Sequence, residues 1–166
     1  RDIRVLEIEI VDDNFHARRS ATGKKYIYKI NLGEYDVFLD RYYLQYPYEF
    51  DLDKMEECSK VFLGVHNFKN FTAGERDNYE AIVKEINFIR NGNFLEIEFI
   101  GKSFYRYMVR NMVGAMLDVA RGKHSILEVE GLLKNWDKAG QMQTASPNGL
   151  YLEDVYYTGG LENGKF

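Results

Sequence analysis

The chain has 166 residues, 45% of them hydrophobic, which is enough for one domain with its own core. Its 29% charged residues and the lack of a long uncharged apolar run exclude a membrane span. A formal charge of −4 gives no bulk support to nucleic-acid binding, and a single cysteine, Cys58, excludes an internal disulfide and fits a reducing, cytoplasmic setting.

No signal-peptide pattern opens the sequence. Residues 3–11, IRVLEIEIV, set Leu6, Ile8 and Ile10 in alternation with Glu7 and Glu9 and predict a half-buried strand. A chain that starts at Arg1, without methionine, this close to a strand is expected to be part of something longer. KKYIYKI alternates as well, with Tyr26, Tyr28 and Ile30 on one face and Lys25, Ile27 and Lys29 on the other. From Asn14 to Gly33 there is no acid, while Arg18, Arg19, Lys24, Lys25 and Lys29 are all basic. Such an island is either a face that meets an anion or a solvated strand surface, and the residues leave both open.

Asp53 and Glu56 have capping-box spacing and predict a helix through Met55, Cys58 and Phe62 that stops at Gly64. The aromatic and polar stretch at 65–78 has no period and reads as loop. Residues 81–101 read as a β-hairpin turning at Asn91-Gly92, in which Ile86 and Phe88 pair with Leu95, Ile97 and Phe99. A long helix is expected from about Ser103 to Arg121. Its apolar arc spans roughly 220° and implies packing on more than one side. Arg106, Arg110 and Arg121 fall together at one border of that arc, beside Gly114. Ser125 and Glu128 form a capping box for a short helix, ILEVEGLLKNW. ASPNG turns the chain, LYLEDVYY is the last strand, and residues 158–166 read as a frayed tail. Together these elements predict one α+β domain over 1–157, a mainly antiparallel sheet with helices packed on one face.

Little in this pattern names a reaction. His16, His66 and His124 lack partners at metal-ligand spacing. No glycine-rich phosphate loop and no nucleophile elbow is present, and Cys58 reads as helix packing. Arg106 and Arg110 are four apart, so on a helix they share a side. Snorkelling of their stems over core is the commoner account of such a pair. Gly114, one turn on, admits the alternative that a backbone or a ligand approaches closely. Tyr26 and Tyr28 read first as strand core, with base stacking as the second account.

FHARRSATGKKYIY (15–28), HNFKNF (66–71), MVRNMVG (108–114) and NGLYLEDVYY (148–157) resemble, in this order, the TruA-type tRNA pseudouridine synthases. Each motif is short, but their order and spacing cover nearly the whole chain. The resemblance implies a pseudouridine-synthase-like fold and isomerisation of uridine to pseudouridine in the anticodon stem-loop of tRNA, at positions 38–40. It implies no metal, nucleotide or redox cofactor. The family's nucleophile is an aspartate in a Gly-Arg-Thr-Asp segment that this chain lacks, so the chain is expected to be the C-terminal portion and inactive alone. GERD at 74–77 places Arg76 before Asp77, but it follows HNFKNF and is rejected as the nucleophile.

By the same resemblance Tyr26 packs on the target base, Leu150 walls the pocket, and Arg110 pairs with the catalytic aspartate. His16 and Arg18 belong to the basic motif that faces RNA. The expected partners are tRNA, the missing N-terminal domain and, in the complete enzyme, a second copy in a homodimer, with no membrane. A stand-alone RNA-binding module without catalysis is the alternative, and a plain protein-interaction domain is a third reading that the acid-free stretch argues against.

Overall fold

A computed structural model describes residues 3–135 and 142–157. The sheet is organised on β1 (Ala21–Asn31), whose alternating Tyr28 and Ile30 are fully buried. One edge of β1 pairs antiparallel with β5 (Phe94–Gly101). Its other edge is shared by β6 (Leu150–Tyr157), antiparallel along 21–28, and by the two-residue β2 (Leu44–Gln45), parallel at 30–31. Beyond β5 lie β4 (Glu80–Asn91) and then β3 (Gly64–Asn67), both antiparallel to their neighbours. The expected α+β architecture with a mainly antiparallel sheet is observed.

The hairpin register is the expected one: Ile86 lies opposite Phe99 and Phe88 opposite Ile97. Its turn needs only one left-handed residue, Gly92, at φ 58°. Leu95, Ile97 and Phe99 point to the same face as Tyr28 and Ile30. There they meet the helical layer: α1 (Leu52–Ser59), α2 (Met108–Ala120) and α3 (Ile126–Lys134). The opposite face carries Lys25 and Lys29 from β1 and Glu96 and Glu98 from β5. Lys25 is ion-paired with Glu98, and Lys29 lies 3.3 Å from Glu96. Two of the five cations in the acid-free stretch are thus balanced by the neighbouring strand, which sequence distance had concealed.

Several boundaries depart from expectation. Residues 3–11 form no strand; Ile3, Leu6, Ile8 and Ile10 are each more than four-fifths exposed. Alternation supplies an apolar face but not a neighbouring edge, and both edges of β1 are already occupied. Asp51, not Asp53, caps α1: its Oδ1 accepts the Lys54 N–H at 3.1 Å. Its own N–H is held by the Ala120 carbonyl of α2, which draws the helix start two residues earlier. The helix proper ends at Ser59, and a 3-10 turn carries Phe62 into the core before Gly64 turns at φ 97°. His66 and Asn67, read as loop, belong to β3. The following Phe68 and Phe71 are core residues, so HNFKNF is largely a packing motif.

The largest shift concerns α2, which begins at Met108 rather than near Ser103. Tertiary contacts hold the preceding residues out of the helix. Phe104 meets Tyr26 edge-on at 5.3 Å, Tyr105 donates its hydroxyl to the Glu80 carbonyl, and the Arg106 carbonyl accepts the Ala73 N–H. The chain then enters α2 through Tyr107 in the left-handed region, φ 67°, a conformation that costs a non-glycine residue about 1 kcal/mol or more. Arg106 and Arg110 are therefore not on one helix side. The Ser125 capping box of α3 forms as expected; Trp136 and the tail at 158–166 lie outside the described residues.

Eleven of the thirteen α2 residues are buried, so its packing on more than one side is real. One stripe of it, Arg110, Gly114 and Asp118, carries no apolar side chain, and the segment at 142–146 lies along it. The buried Asp118 accepts the Gln143 N–H at 3.1 Å and lies 3.2 Å from the Lys123 ammonium. Thr144 donates to Asn111, and Ala145 exchanges two hydrogen bonds with Arg110. At Gly114 the Gln143 carbonyl fills the space of a side chain, so a Cβ there would overlap it. Gly114→Ala is therefore expected to cost about 3 kcal/mol or more, at the upper end of overpacking. A urea-unfolding midpoint close to that of the wild type would show that the segment yields without loss.

Candidate active site

Where β1, β6 and the start of α2 meet, a small cleft of about 150 Å³ opens, lined by Tyr26, Phe104, Tyr105, Tyr107 and Leu150 among others. Tyr26 and Leu150 reach it from neighbouring strands, since Leu150 stands opposite Tyr28 in the β1–β6 register. Burial raises the Tyr26 phenol above its ordinary pKa, so it presents a neutral aromatic wall at neutral pH. The buried Tyr28 behind it donates its hydroxyl to the Ser146 carbonyl at 2.6 Å, tying the turn before β6 to β1. Burial raises its pKa strongly too, and the nearby Arg110 opposes this only in part.

Cations surround the cleft on rings that line it. The guanidiniums of Arg106 and Arg110 lie 5.3 Å and 4.7 Å from the centre of the Tyr107 ring, and that of Arg76 lies 4.3 Å from the Tyr105 ring. Among the described residues none of the three is ion-paired with a carboxylate. Arg110 is not unsatisfied, however. Its Nε donates to the Ala145 carbonyl at 2.7 Å, leaving the terminal nitrogens of its fork for another partner. α2 also starts here, and no side chain caps it, so its positive end adds to a field that favours an anion.

Of the residues singled out by the sequence, Tyr26 and Leu150 line one cleft, and Arg110 stands directly behind its Tyr107 wall. His16 and Arg18 do not join them. They sit in an exposed turn where the His16 Nδ1 accepts the backbone N–H of Arg18 at 3.2 Å. That turn is fastened to the far end of β6 by the Phe15–Tyr157 ring contact and by the Tyr157 hydroxyl on the Ala17 carbonyl. Asp77 lies in an exposed loop and does not line the cleft. Tyr105, Tyr107 and Asp118 were missed by the sequence. A helix reading of 103–121 hid the two tyrosines, whereas an acid inside an apolar helix was a signal for Asp118.

Among the described residues there is no group of three acidic, histidine or cysteine side chains placed to hold a metal, and no helix is long and apolar enough to cross a membrane. Cys58 is fully buried, and burial pushes its thiol up to about 12.

A profile of the tRNA pseudouridine synthase family matches residues 59–158. The chain is 36% identical over 159 residues to tRNA pseudouridine synthase A of Geobacillus sp. (strain WCH70), covering 94% of this chain and 64% of that protein. It is 37% identical over 164 residues to the protein of the same name from Lacticaseibacillus casei (strain BL23), with 94% and 65% covered. Against that of Thermodesulfovibrio yellowstonii (strain ATCC 51303 / DSM 11347 / YP87) it is 33% identical over 169 residues, with 94% and 66% covered. The fold and cleft thus define an α+β protein with an aromatic, cation-rimmed pocket, and the chain belongs to the tRNA pseudouridine synthase family. It spans 64% to 66% of the length of these relatives.

Two outcomes are expected. Arg110→Met removes a donor from the part-buried Ala145 carbonyl and should lower stability toward urea by about 1–3 kcal/mol. An unchanged midpoint would mean that the bond is not structural. Cys58 should resist a thiol-specific chromogenic reagent at neutral pH until urea unfolds the chain. Rapid native labelling would contradict its burial.

Proposed function

We propose that this chain forms the tRNA-binding and active-site-supporting half of a pseudouridine synthase, acting on uridines of the anticodon stem-loop at positions 38–40. The observation that carries the reading is the meeting of Tyr26 and Leu150 at one cleft, with Arg110 4.7 Å from the centre of the Tyr107 ring that lines it, in a chain of this family. A uridine in a stacked stem-loop must leave the stack to be reached. Tyr26 then offers one face to the flipped base, and Leu150 closes the apolar wall. The reaction breaks the bond from ribose C1′ to the base N1, turns the base and forms a bond from C1′ to the base C5; the proton displaced from C5 leaves to solvent and N1 takes one up. The net change is an isomerisation, so no electrons enter or leave.

The nucleophile in this reading is a carboxylate brought by sequence outside the chain, from a partner domain N-terminal to it. A carboxylate in an apolar pocket tends to take up a proton, and a cation within ~4–6 Å keeps it ionised. Arg110 suits that task, because its fork stays charged and its Nε anchor on Ala145 fixes the direction of the remaining donors. His16 and Arg18, in their turn beyond β6, contact RNA outside the cleft. The complete protein acts in the cytoplasm as a homodimer.

Tritium release from tRNA labelled at uridine C5 tests this. The complete gene product should release tritium, and Arg110→Met should reduce turnover by about 100-fold or more, the scale of a misplaced reacting group. The 166-residue chain alone should bind tRNA without releasing tritium. Release by that chain, abolished by Asp77→Asn, would place the nucleophile within it. Binding without turnover by the complete gene product would make the protein an RNA-binding module.

A further inference from the structure

Tyr26, Leu150 and Arg110 serve the proposed reaction, whereas Arg76 and Arg106 have no part in it; Arg106 lines the same cleft, and Arg76 lies over its Tyr105 ring. Both are exposed, and each stacks on a ring that lines the cleft, Arg76 on Tyr105 and Arg106 on Tyr107. A guanidinium stacked this way is held by its face, while its in-plane N–H edge stays free to bind an oxyanion bidentately. The two are also held near one another. The Arg106 carbonyl accepts the Ala73 N–H at 3.1 Å and the Tyr105 hydroxyl donates to the Glu80 carbonyl, so the loop at 72–79 is docked on the segment before α2.

The surrounding charge makes the arrangement selective. The chain carries 26 acids against 22 Lys and Arg, so potential partners outnumber the cations. Lys25, Lys29, Lys54, Lys123 and Lys134 take acidic partners, whereas no arginine among the described residues does, Arg76 and Arg106 included. Among the exposed arginines, Arg76 and Arg106 are the two that stand over rings of the cleft, Arg106 itself being part of the lining, and the uncapped start of α2 adds its positive end beside them.

We propose that Arg76 and Arg106 bind the phosphodiester backbone of the RNA strand whose base enters the Tyr26–Leu150 cleft. This rests on the functional reading above. The arginines grip the strand on either side of the cleft mouth, so that the backbone is anchored while the nucleotide swings out. Phosphate contacts of this kind position the strand and carry no base preference. GERD thus contributes its arginine to substrate binding, although its aspartate lies outside the cleft.

The test is fluorescence titration of an unmodified tRNA transcript with the complete gene product at several potassium chloride concentrations. Each phosphate contact on a single strand contributes about −0.7 to the slope of log affinity against log salt. Arg76→Gln and Arg106→Gln should each flatten the slope by about that amount, and together by the sum, with urea midpoints unchanged. Arg76→Lys and Arg106→Lys should keep the slope, since they keep the charge. Arg90→Gln, at the far end of the hairpin, removes the same charge and should leave it unchanged. Unchanged slopes in the Arg76 and Arg106 variants, with salt-dependent wild-type binding, would overturn this assignment alone. An equal effect of Arg90→Gln would reduce it to net charge and overturn it as well. A wild-type protein that does not bind the transcript would overturn both this assignment and the functional reading.

Discussion

The structure turns on the contact between α2 and the segment at 142–146. A helix buried on nearly all sides must meet a passing chain somewhere, and a passing backbone brings carbonyl and amide groups that need partners. The stripe Arg110, Gly114 and Asp118 supplies an Nε donor, an open space and a carboxylate at successive turns. Each serves a different polar demand of the same backbone. From that anchored segment the chain passes Ser146, held by the Tyr28 hydroxyl, and delivers Leu150 to the cleft at the start of β6. The placement of the pocket wall is thus set by a helix stripe that does not itself line the pocket.

The same stripe gives Arg110 two roles that compete in any stability measurement. Its Nε holds Ala145, and in the proposed reaction the rest of its fork would serve a carboxylate. A half-buried cation without a carboxylate is costly unless hydrogen bonds satisfy it. The bond to Ala145 and the face of Tyr107 provide this within the chain.

Charge is sorted by position rather than by amount. On the open face of the sheet, Lys25 and Lys29 meet Glu98 and Glu96 on the neighbouring strand, and Lys29 also lies over the Tyr43 and Tyr151 rings. The two lysines of that face are thus offset by acids of the neighbouring strand. At the cleft the arginines have rings for neighbours instead of acids.

Local patterns were sufficient for elements whose cause lies in a few adjacent residues. The turn at Gly92, the Ser125–Glu128 capping box and the alternation of β1 were all legible, because each depends on φ preference, a short hydrogen bond or a two-residue period. The four motifs in order carried the family. What the sequence could not supply was the identity of distant partners. Residues 3–11 have a strand pattern without a strand, since alternation does not create an edge to pair with. The cap of α1 moved to Asp51 because the Ala120 carbonyl holds its N–H. The start of α2 moved to Met108 because Glu80 and Ala73 hold Tyr105 and Arg106 outside it. The pairing of Lys25 with Glu98 and the seating of Arg76 on Tyr105 came from strands and loops far apart in the chain. Sequence determined most of the element types and carried the family. Tertiary hydrogen bonds and strand register decided where the helices begin, whether 3–11 and 64–67 pair as strands, and how the cleft is assembled, because each depends on a partner distant in the chain.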